Sequence, residues 1–357
     1  MEIPVTLVRP GLARQKPTDE SKLGFGVFFS NHMFLMDYKP HAGWHSPRIV
    51  PYGPLLLEPA TVVLHYAQEV FEGLKAYRGA EGQVALFRAR DNLKRMNRSA
   101  ERVCIPAFPE DLVYEGLKKL IQIDKDWVPS SPGTSLYIRP VIIATEAFLG
   151  VRPASEYLLY IITGPVGAYF AGGQAAVKIL VEDTYVRAAP GGLGDCKTAG
   201  NYAASLKAQV KAQERGFSQV LWLDGKERRF VEEVGTMNIF FKFKDELATA
   251  PLAGTILPGV TRDSVLTIAR DMGLNVRERP VAIDEVVAKA KTGELEEVFG
   301  TGTAAVVSPV GSLRYKDEDL VISGGQPGPL AKRLYDKLTA YQYGEEKDPY
   351  GWREVVA

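Results

Sequence analysis

Residues 230–241 read Phe230-Val231-Glu232-Glu233-Val234-Gly235-Thr236-Met237-Asn238-Ile239-Phe240-Phe241, a carboxylate pair leading through a glycine into an apolar strand. That strand is predicted over Asn238–Lys244, and β-like runs lie around it at Val177–Val181, Gln219–Asp224 and Val298–Val307. Helices are predicted at Tyr202–Arg215, Arg262–Met272 and Ile283–Thr292, so strand and helix alternate through this half of the chain. The first half mixes the same elements. Short β-like groups run from Phe25 to Tyr38, a loop rich in Pro, His and Gly is expected over Lys39–Pro54, and strands follow at Val84–Phe87, Ser135–Thr145 and Tyr157–Thr163. Helices are expected at Arg90–Val103, with Asp91 as N-cap, and at Pro109–Lys125, with Glu110 and Asp111 in the first turn. From Gly164 to Gln174 the chain offers turn residues in place of periodicity. The fold class expected is α/β (α+β), in two mixed α/β domains. A small N-terminal domain covers 1–165, an interdomain loop 166–176, and a larger C-terminal domain 177–357.

Length agrees, since 357 residues make about two domains at roughly 100–200 residues each. Hydrophobic residues at 46% and charged residues at 24% fit a globular protein and exclude collagen-like, coiled-coil and disordered classes. The 43 basic and 43 acidic residues cancel, so no global field draws the chain to nucleic acid or an anionic membrane. Neither partner is expected. Cys104 and Cys196 form no disulfide framework or CxxC pair, which points to a reducing, cytoplasmic home. His32, His41, His45 and His65 lack the spacing of a metal site, and none is expected. No stretch reaches the roughly 18 apolar residues of a membrane helix, and Glu2, Pro4 and Pro10 break any signal peptide.

Five segments offer chemistry. Lys197 lies in Gly191-Gly192-Leu193-Gly194-Asp195-Cys196-Lys197-Thr198-Ala199-Gly200-Asn201-Tyr202, the most glycine-dense part of the chain. Partly buried, such a lysine attacks carbonyls; solvated, it is an ordinary loop lysine. Glu233 buried beside a pyridine ring would keep the ring nitrogen protonated, whereas at an open strand end it would be a surface glutamate. Leu257-Pro258-Gly259-Val260-Thr261-Arg262 runs into a helix whose first N–H groups suit a phosphate, although Thr261 would serve equally as a plain N-cap. Gly300-Thr301-Gly302-Thr303-Ala304-Ala305 brings backbone N–H groups within reach of an anion, or is a simple β-turn. Arg95 adds a permanent cation.

Taken together these segments resemble the branched-chain aminotransferases among the fold type IV pyridoxal-phosphate enzymes. The resemblance rests on Glu233-Val-Gly-Thr-Met-Asn-Ile-Phe, Leu247-Ala-Thr and Leu257-Pro-Gly-Val-Thr-Arg262. It extends through Phe71-Glu-Gly-Leu-Lys-Ala-Tyr77, Asn92-Leu-Lys-Arg-Met96, Tyr137-Ile-Arg-Pro140, Gly167-Ala-Tyr-Phe170, Lys197-Thr-Ala-Gly-Asn-Tyr202, Gln219-Val-Leu-Trp-Leu223 and Phe299-Gly-Thr-Gly-Thr-Ala304, roughly residues 20 to 345. It implies pyridoxal 5'-phosphate in the cleft between the domains. Lys197, carried by the C-terminal domain, is then the Schiff-base lysine and the base that moves the substrate Cα proton. Glu233 faces the pyridine nitrogen and Tyr202 the ring's phenolic oxygen. Arg95, the backbone of Val260 and Thr261, and Thr303 hold the phosphate, with Thr236 and Arg187 close to the cofactor.

The resemblance also implies a pocket for leucine, isoleucine or valine that accepts 2-oxoglutarate in the second half-reaction. Phe25, Tyr66, Phe71, Tyr137 and Tyr169 match its aromatic wall, Arg139 the receiver of the distal carboxylate, and Thr303 with Ala304 the α-carboxylate turn. Val151 matches a position that reaches the other subunit's site, implying a homodimer or a higher oligomer of dimers. The CxxC pair of the longer members is replaced by Ala305 and Ser308, which removes that thiol switch; Cys196 is expected to be a buried structural thiol. Other fold type IV activities, D-amino acid transamination or aminodeoxychorismate lyase chemistry, would share Lys197 and Glu233. A non-catalytic anion-binding protein would need neither.

Overall fold

Along Ser135–Ala144 the side chains of Leu136, Ile138, Ile142 and Ala144 are fully buried, which fixes one face of a strand against a core. The structure, a computed structural model, describes residues 2–167 and 175–357. In chain order the first elements are β1 (His32–Lys39), β2 (Gly43–Pro51), α1 (Val62–Tyr66), β3 (Glu69–Phe71), β4 (Leu74–Arg78) and β5 (Val84–Phe87). Then come α2 (Ala89–Arg102), α3 (Glu110–Ile123), β6 (Ser135–Ala144) and β7 (Tyr157–Val166). Further on lie β8 (Val177–Glu182), α4 (Ala199–Glu214), β9 (Gln219–Leu223), β10 (Val231–Val234), β11 (Met237–Phe243), β12 (Glu246–Thr249), α5 (Val260–Asp271), β13 (Val276–Glu278) and α6 (Ile283–Thr292). The last are β14 (Leu295–Gly302), β15 (Val306–Tyr315), β16 (Glu318–Val321), α7 (Pro329–Tyr343) and β17 (Arg353–Val355).

The chain divides into two compact units. One comprises Met1–Tyr169, Cys196–Ala199 and Ala340–Ala357, the other Phe170–Asp195 and Gly200–Thr339. Cys196–Ala199 joins the first because Phe71 N donates to the Lys197 carbonyl at 3.0 Å and Lys197 N donates to Ser99 Oγ at 2.9 Å. The first unit holds an antiparallel sheet in the order β17-β5-β4-β6-β7-β1-β2, with β3 beside β6. Its core face meets α2 and α3 through Leu93, Met96, Leu117, Leu120 and Ile121. Each such side chain contributes about 1.5–3 kcal/mol of burial.

The second unit orders its strands β10-β9-β8-β15-β14-β11-β12-β13, with β16 on β15. β10 also pairs with β11, so the path from β10 to β11 closes on itself. Ile179, Leu221, Val234, Ile239, Val298 and Val310 form its main buried cluster. Residues of opposite parity, Leu180, Val220 and Trp222, pack on Ala208 and Ala212 of α4.

Several local expectations need correcting. Lys39–Pro54 is mostly strand, because Gly43 at φ +64° reverses the chain and lets β2 pair with β1. Only His32–Lys39 of the region Phe25–Tyr38 is a strand. Val298–Val307 is a hairpin of β14 and β15, since Thr303-Ala304-Ala305 turns there. Arg88 at φ +52° caps α2 from the left-handed region, and Asp91 sits in the first turn accepting Arg88 Nε at 2.8 Å. Gly259, not Thr261, is the N-cap of α5, and α4 starts at Ala199, ahead of Tyr202.

Candidate active site

In the first unit the site grows from the bend Phe71-Glu72-Gly73 between β3 and β4. Glu72 is fully buried; Arg95 of α2 donates to it from Nε at 2.7 Å and from Nη2 at 2.8 Å, and Asn92 Nδ2 at 2.9 Å. Burial pushes this carboxyl up, but the charges of Arg95 and Lys197 and the Asn92 bond outweigh it and leave the group below its usual range. Gly73 is required: a Cβ there would lie 2.2 Å from the Tyr137 hydroxyl. The Lys197 backbone is fixed by Phe71 and Ser99, Thr198 Oγ1 donates to the Glu69 carbonyl at 2.7 Å, and Lys197 Nζ stands 4.7 Å from the Phe71 ring centre.

Arg139 projects from β6 over Phe71 at 4.7 Å and donates to the Tyr137 hydroxyl at 3.0 Å, while its buried Nε has no hydrogen-bond partner among the described residues. Phe25 meets Tyr137 edge-on at 4.8 Å. Phe25, Phe71, Tyr137, Arg139 and Lys197 therefore form one group, with Arg95 linked to it through Glu72. Tyr66 is more exposed and donates to the Leu149 carbonyl, and Val151 is 86% exposed. Neither has a contact with that group among those described. Tyr169 lies outside the described residues.

In the second unit Glu233 of β10 is buried between two donors, Arg187 Nε at 3.0 Å and the Leu257 backbone N at 2.8 Å. Arg187 also donates from Nη1 to the carbonyls of Thr255 at 2.9 Å and Gly194 at 3.2 Å. The neighbouring Glu232 takes the Thr255 hydroxyl, and burial raises its pKa. Asn238 Nδ2 donates to the Leu257 carbonyl at 2.9 Å. The loop Thr255–Gly259 is thus tied to the β10–β11 hairpin and sets the start of α5, where Val260 and Thr261 lie. A Cβ on Gly259 would come within 2.0 Å of Asn238 Oδ1, and α5 begins without a side-chain cap. Thr303 and Ala304 occupy the β14–β15 turn, Tyr202 the first turn of α4, and Thr236 the exposed tip between β10 and β11.

Sequence reasoning missed Glu72, Ser99, Thr255, and the tether made by Asn238. All four act across long sequence separations, where no periodicity marks them. Among the described residues no His, Cys, Asp and Glu side chains gather as a metal site, and no helix is long and apolar enough to cross a membrane.

Residues 69–313 match the family described as Amino-transferase class IV, and the chain belongs to that family. It is 56% identical over 344 residues to Branched-chain-amino-acid aminotransferase 2 of Bacillus subtilis (strain 168), covering 96% of this chain and 94% of that protein. To Branched-chain-amino-acid transaminase 1 of the same strain it is 54% identical, covering 96% of both. The crystal structure of the branched-chain amino acid aminotransferase from Thermobaculum terrenum, in its PLP (holo) form, superposes with a TM-score of 0.72 at 25% identity, covering 91% of this chain and 98% of that one. The chain is accordingly an enzyme with branched-chain aminotransferase activity and the fold type IV architecture, acting on small amino and oxo acids.

Proposed function

We propose that the enzyme moves the amino group of L-leucine, L-isoleucine or L-valine to 2-oxoglutarate, giving the branched 2-oxo acid and L-glutamate, with pyridoxal 5'-phosphate as cofactor. The observation that carries the substrate reading is Arg139, which lies against Phe71 and Tyr137 and whose buried Nε has no partner among the described residues. An apolar wall holding a single guanidinium accepts an aliphatic side chain in one half-reaction and a distal carboxylate in the other.

The residues present fit the cofactor. Glu233 offers a buried carboxylate held by Arg187 and Leu257 for a pyridine nitrogen, and α5 starts behind Gly259 without a side-chain cap, the kind of helix start that suits a phosphate. The Thermobaculum terrenum enzyme carries the same cofactor in its holo form. Bound here, pyridoxal phosphate supplies an electron sink for the charge that develops at the substrate Cα. Arg95, the backbone of Val260 and Thr261, and Thr303 hold the phosphate, Tyr202 the ring oxygen, and Thr236 lies near the ring. Lys197 anchors the cofactor through its amine and shuttles the Cα proton. The α-carboxylate meets the turn at Thr303 and Ala304, and Phe25, Phe71 and Tyr137 shape the side-chain pocket, to which the family resemblance adds Tyr66 and Tyr169. The family resemblance supports a homodimer as the working form, in which Val151, 86% exposed, would reach the other subunit's site. A cytoplasmic location suits these soluble metabolites.

The test is glutamate formation from L-leucine and 2-oxoglutarate by wild type and Lys197→Ala. The reading requires the variant to lose at least about three orders of magnitude in rate. Turnover by Lys197→Ala at the wild-type rate, or activity confined to D-amino acids, would overturn it.

A further inference from the structure

The face of β6 opposite the core carries Tyr137, Arg139, Val141 and Ile143, because Leu136, Ile138, Ile142 and Ala144 point into the core. Register places other side chains on this same face. Glu69 and Phe71 of β3 stand opposite Ile143 and Val141, Lys75 of β4 opposite Tyr137, and Tyr160 of β7 opposite Val141. Arg139 leans toward β3, over the Phe71 ring. Its charge is felt at Glu69 and at Tyr160, and Glu69 in turn acts on Tyr160, so the three lie within electrostatic reach of one another.

Cations outnumber carboxylates on this face, and Glu69 offsets part of the excess. Arg139, Lys75 and Lys197 are its cations, and Glu72 is already engaged by Arg95. Glu69 is half-buried, and its carboxyl stands back from Arg139, acting on it through space and not through a direct ion pair. Burial pushes this carboxyl above its usual range, and Arg139 offsets only part of that rise.

We propose that Glu69 is the internal counter-charge of Arg139 and sets how affinity is divided between aliphatic and dicarboxylate ligands. This rests on the reading that Arg139 receives the distal carboxylate. An aliphatic side chain displaces water from Arg139, and a carboxylate nearby limits the cost of that desolvation. A carboxylate in direct contact would compete with the ligand; one held back on β3 leaves Arg139 Nε open to the ligand's own carboxylate. Glu69 is thus a positioning residue for charge, acting through Arg139.

The test compares holoenzymes of wild type, Glu69→Gln, Glu69→Asp and Arg139→Gln. Dissociation constants are measured by calorimetry for two unreactive acids, glutarate and 4-methylvalerate, with KM and kcat for 2-oxoglutarate and L-leucine alongside. Glu69→Gln should tighten glutarate and weaken 4-methylvalerate, moving the ratio of the two constants by about tenfold. The KM values should follow while kcat moves less. Glu69→Asp should fall between wild type and Glu69→Gln, and carries the test alone should the glutamine variant not fold. An unchanged ratio in both Glu69 variants, with glutarate weakened in Arg139→Gln, would overturn this inference and leave the function standing. Unchanged glutarate binding in Arg139→Gln would overturn the reading of Arg139 and this inference with it.

Discussion

Arg187 holds Glu233 in place by donating from Nε at 3.0 Å while its other nitrogens anchor to the carbonyls of Gly194 and Thr255. One guanidinium therefore fixes the carboxylate, the glycine-rich loop before Lys197 and the loop before α5. Both partners of the ion pair are buried, 7% and 3% exposed at the side chain, so losing one strands the other. Arg187→Gln should cost about 3–5 kcal/mol in urea denaturation. Arg187→Lys should recover little, because an ammonium lacks the fork that reaches three oxygens. Full stability in either variant would remove Arg187 from this role.

Glu72 gives a pH signature. Its pKa in the folded protein lies below the ordinary 4.5, held there by Arg95 and Lys197 against the opposing effect of burial. A depressed carboxyl contributes stability that is complete above the unfolded value and is lost as pH falls through the folded one. Wild type should thus lose urea resistance below about pH 4.5 more steeply than Glu72→Gln, which should already be weaker at pH 7. Parallel profiles for the two proteins would contradict the assignment.

Gly259 tests the start of α5. An added Cβ would lie 2.0 Å from Asn238 Oδ1, so Gly259→Ala must displace either the helix start or the Asn238 tether to Leu257. Overpacking of this kind costs about 1–3 kcal/mol, and pyridoxal phosphate affinity in a dialysis titration should fall by about tenfold. Wild-type affinity would place the phosphate elsewhere.

Glu297 caps α7 from β14. It accepts the backbone N–H of Leu330 at 2.8 Å and of Ala331 at 2.9 Å, and Gly328 leaves space for its carboxylate. Glu297→Ala should lower stability by about 1–3 kcal/mol in urea melts, with the cofactor spectrum retained.

Much of this was legible in the sequence, and the misses share a cause. Val84–Phe87 and Ile283–Thr292 match their elements residue for residue, because apolar periodicity and turn residues mark both ends. β2 was hidden because Pro47, Pro51 and His45 look like loop residues, although its bonds to β1 hold it extended. β10 was hidden because Glu232 and Glu233 are polar, although both are buried by partners distant in sequence, Thr255, Arg187 and Leu257. Glu233, Lys197, Arg95 and Arg139 could be named from local motifs. Their braces, Glu72, Ser99, Thr255 and Asn238, could not, since long-range hydrogen bonds leave no local pattern.

The proposed function has Lys197 and Glu233 serve one pyridoxal phosphate in the transamination of branched L-amino acids. The most direct measurement is the absorbance spectrum of the purified holoenzyme before and after L-leucine, without any oxo acid. The proposed function predicts a visible band that converts to the pyridoxamine form with L-leucine and returns on adding 2-oxoglutarate. A band that ignores L-leucine and converts with a D-amino acid, or no band even after adding pyridoxal phosphate, would contradict it.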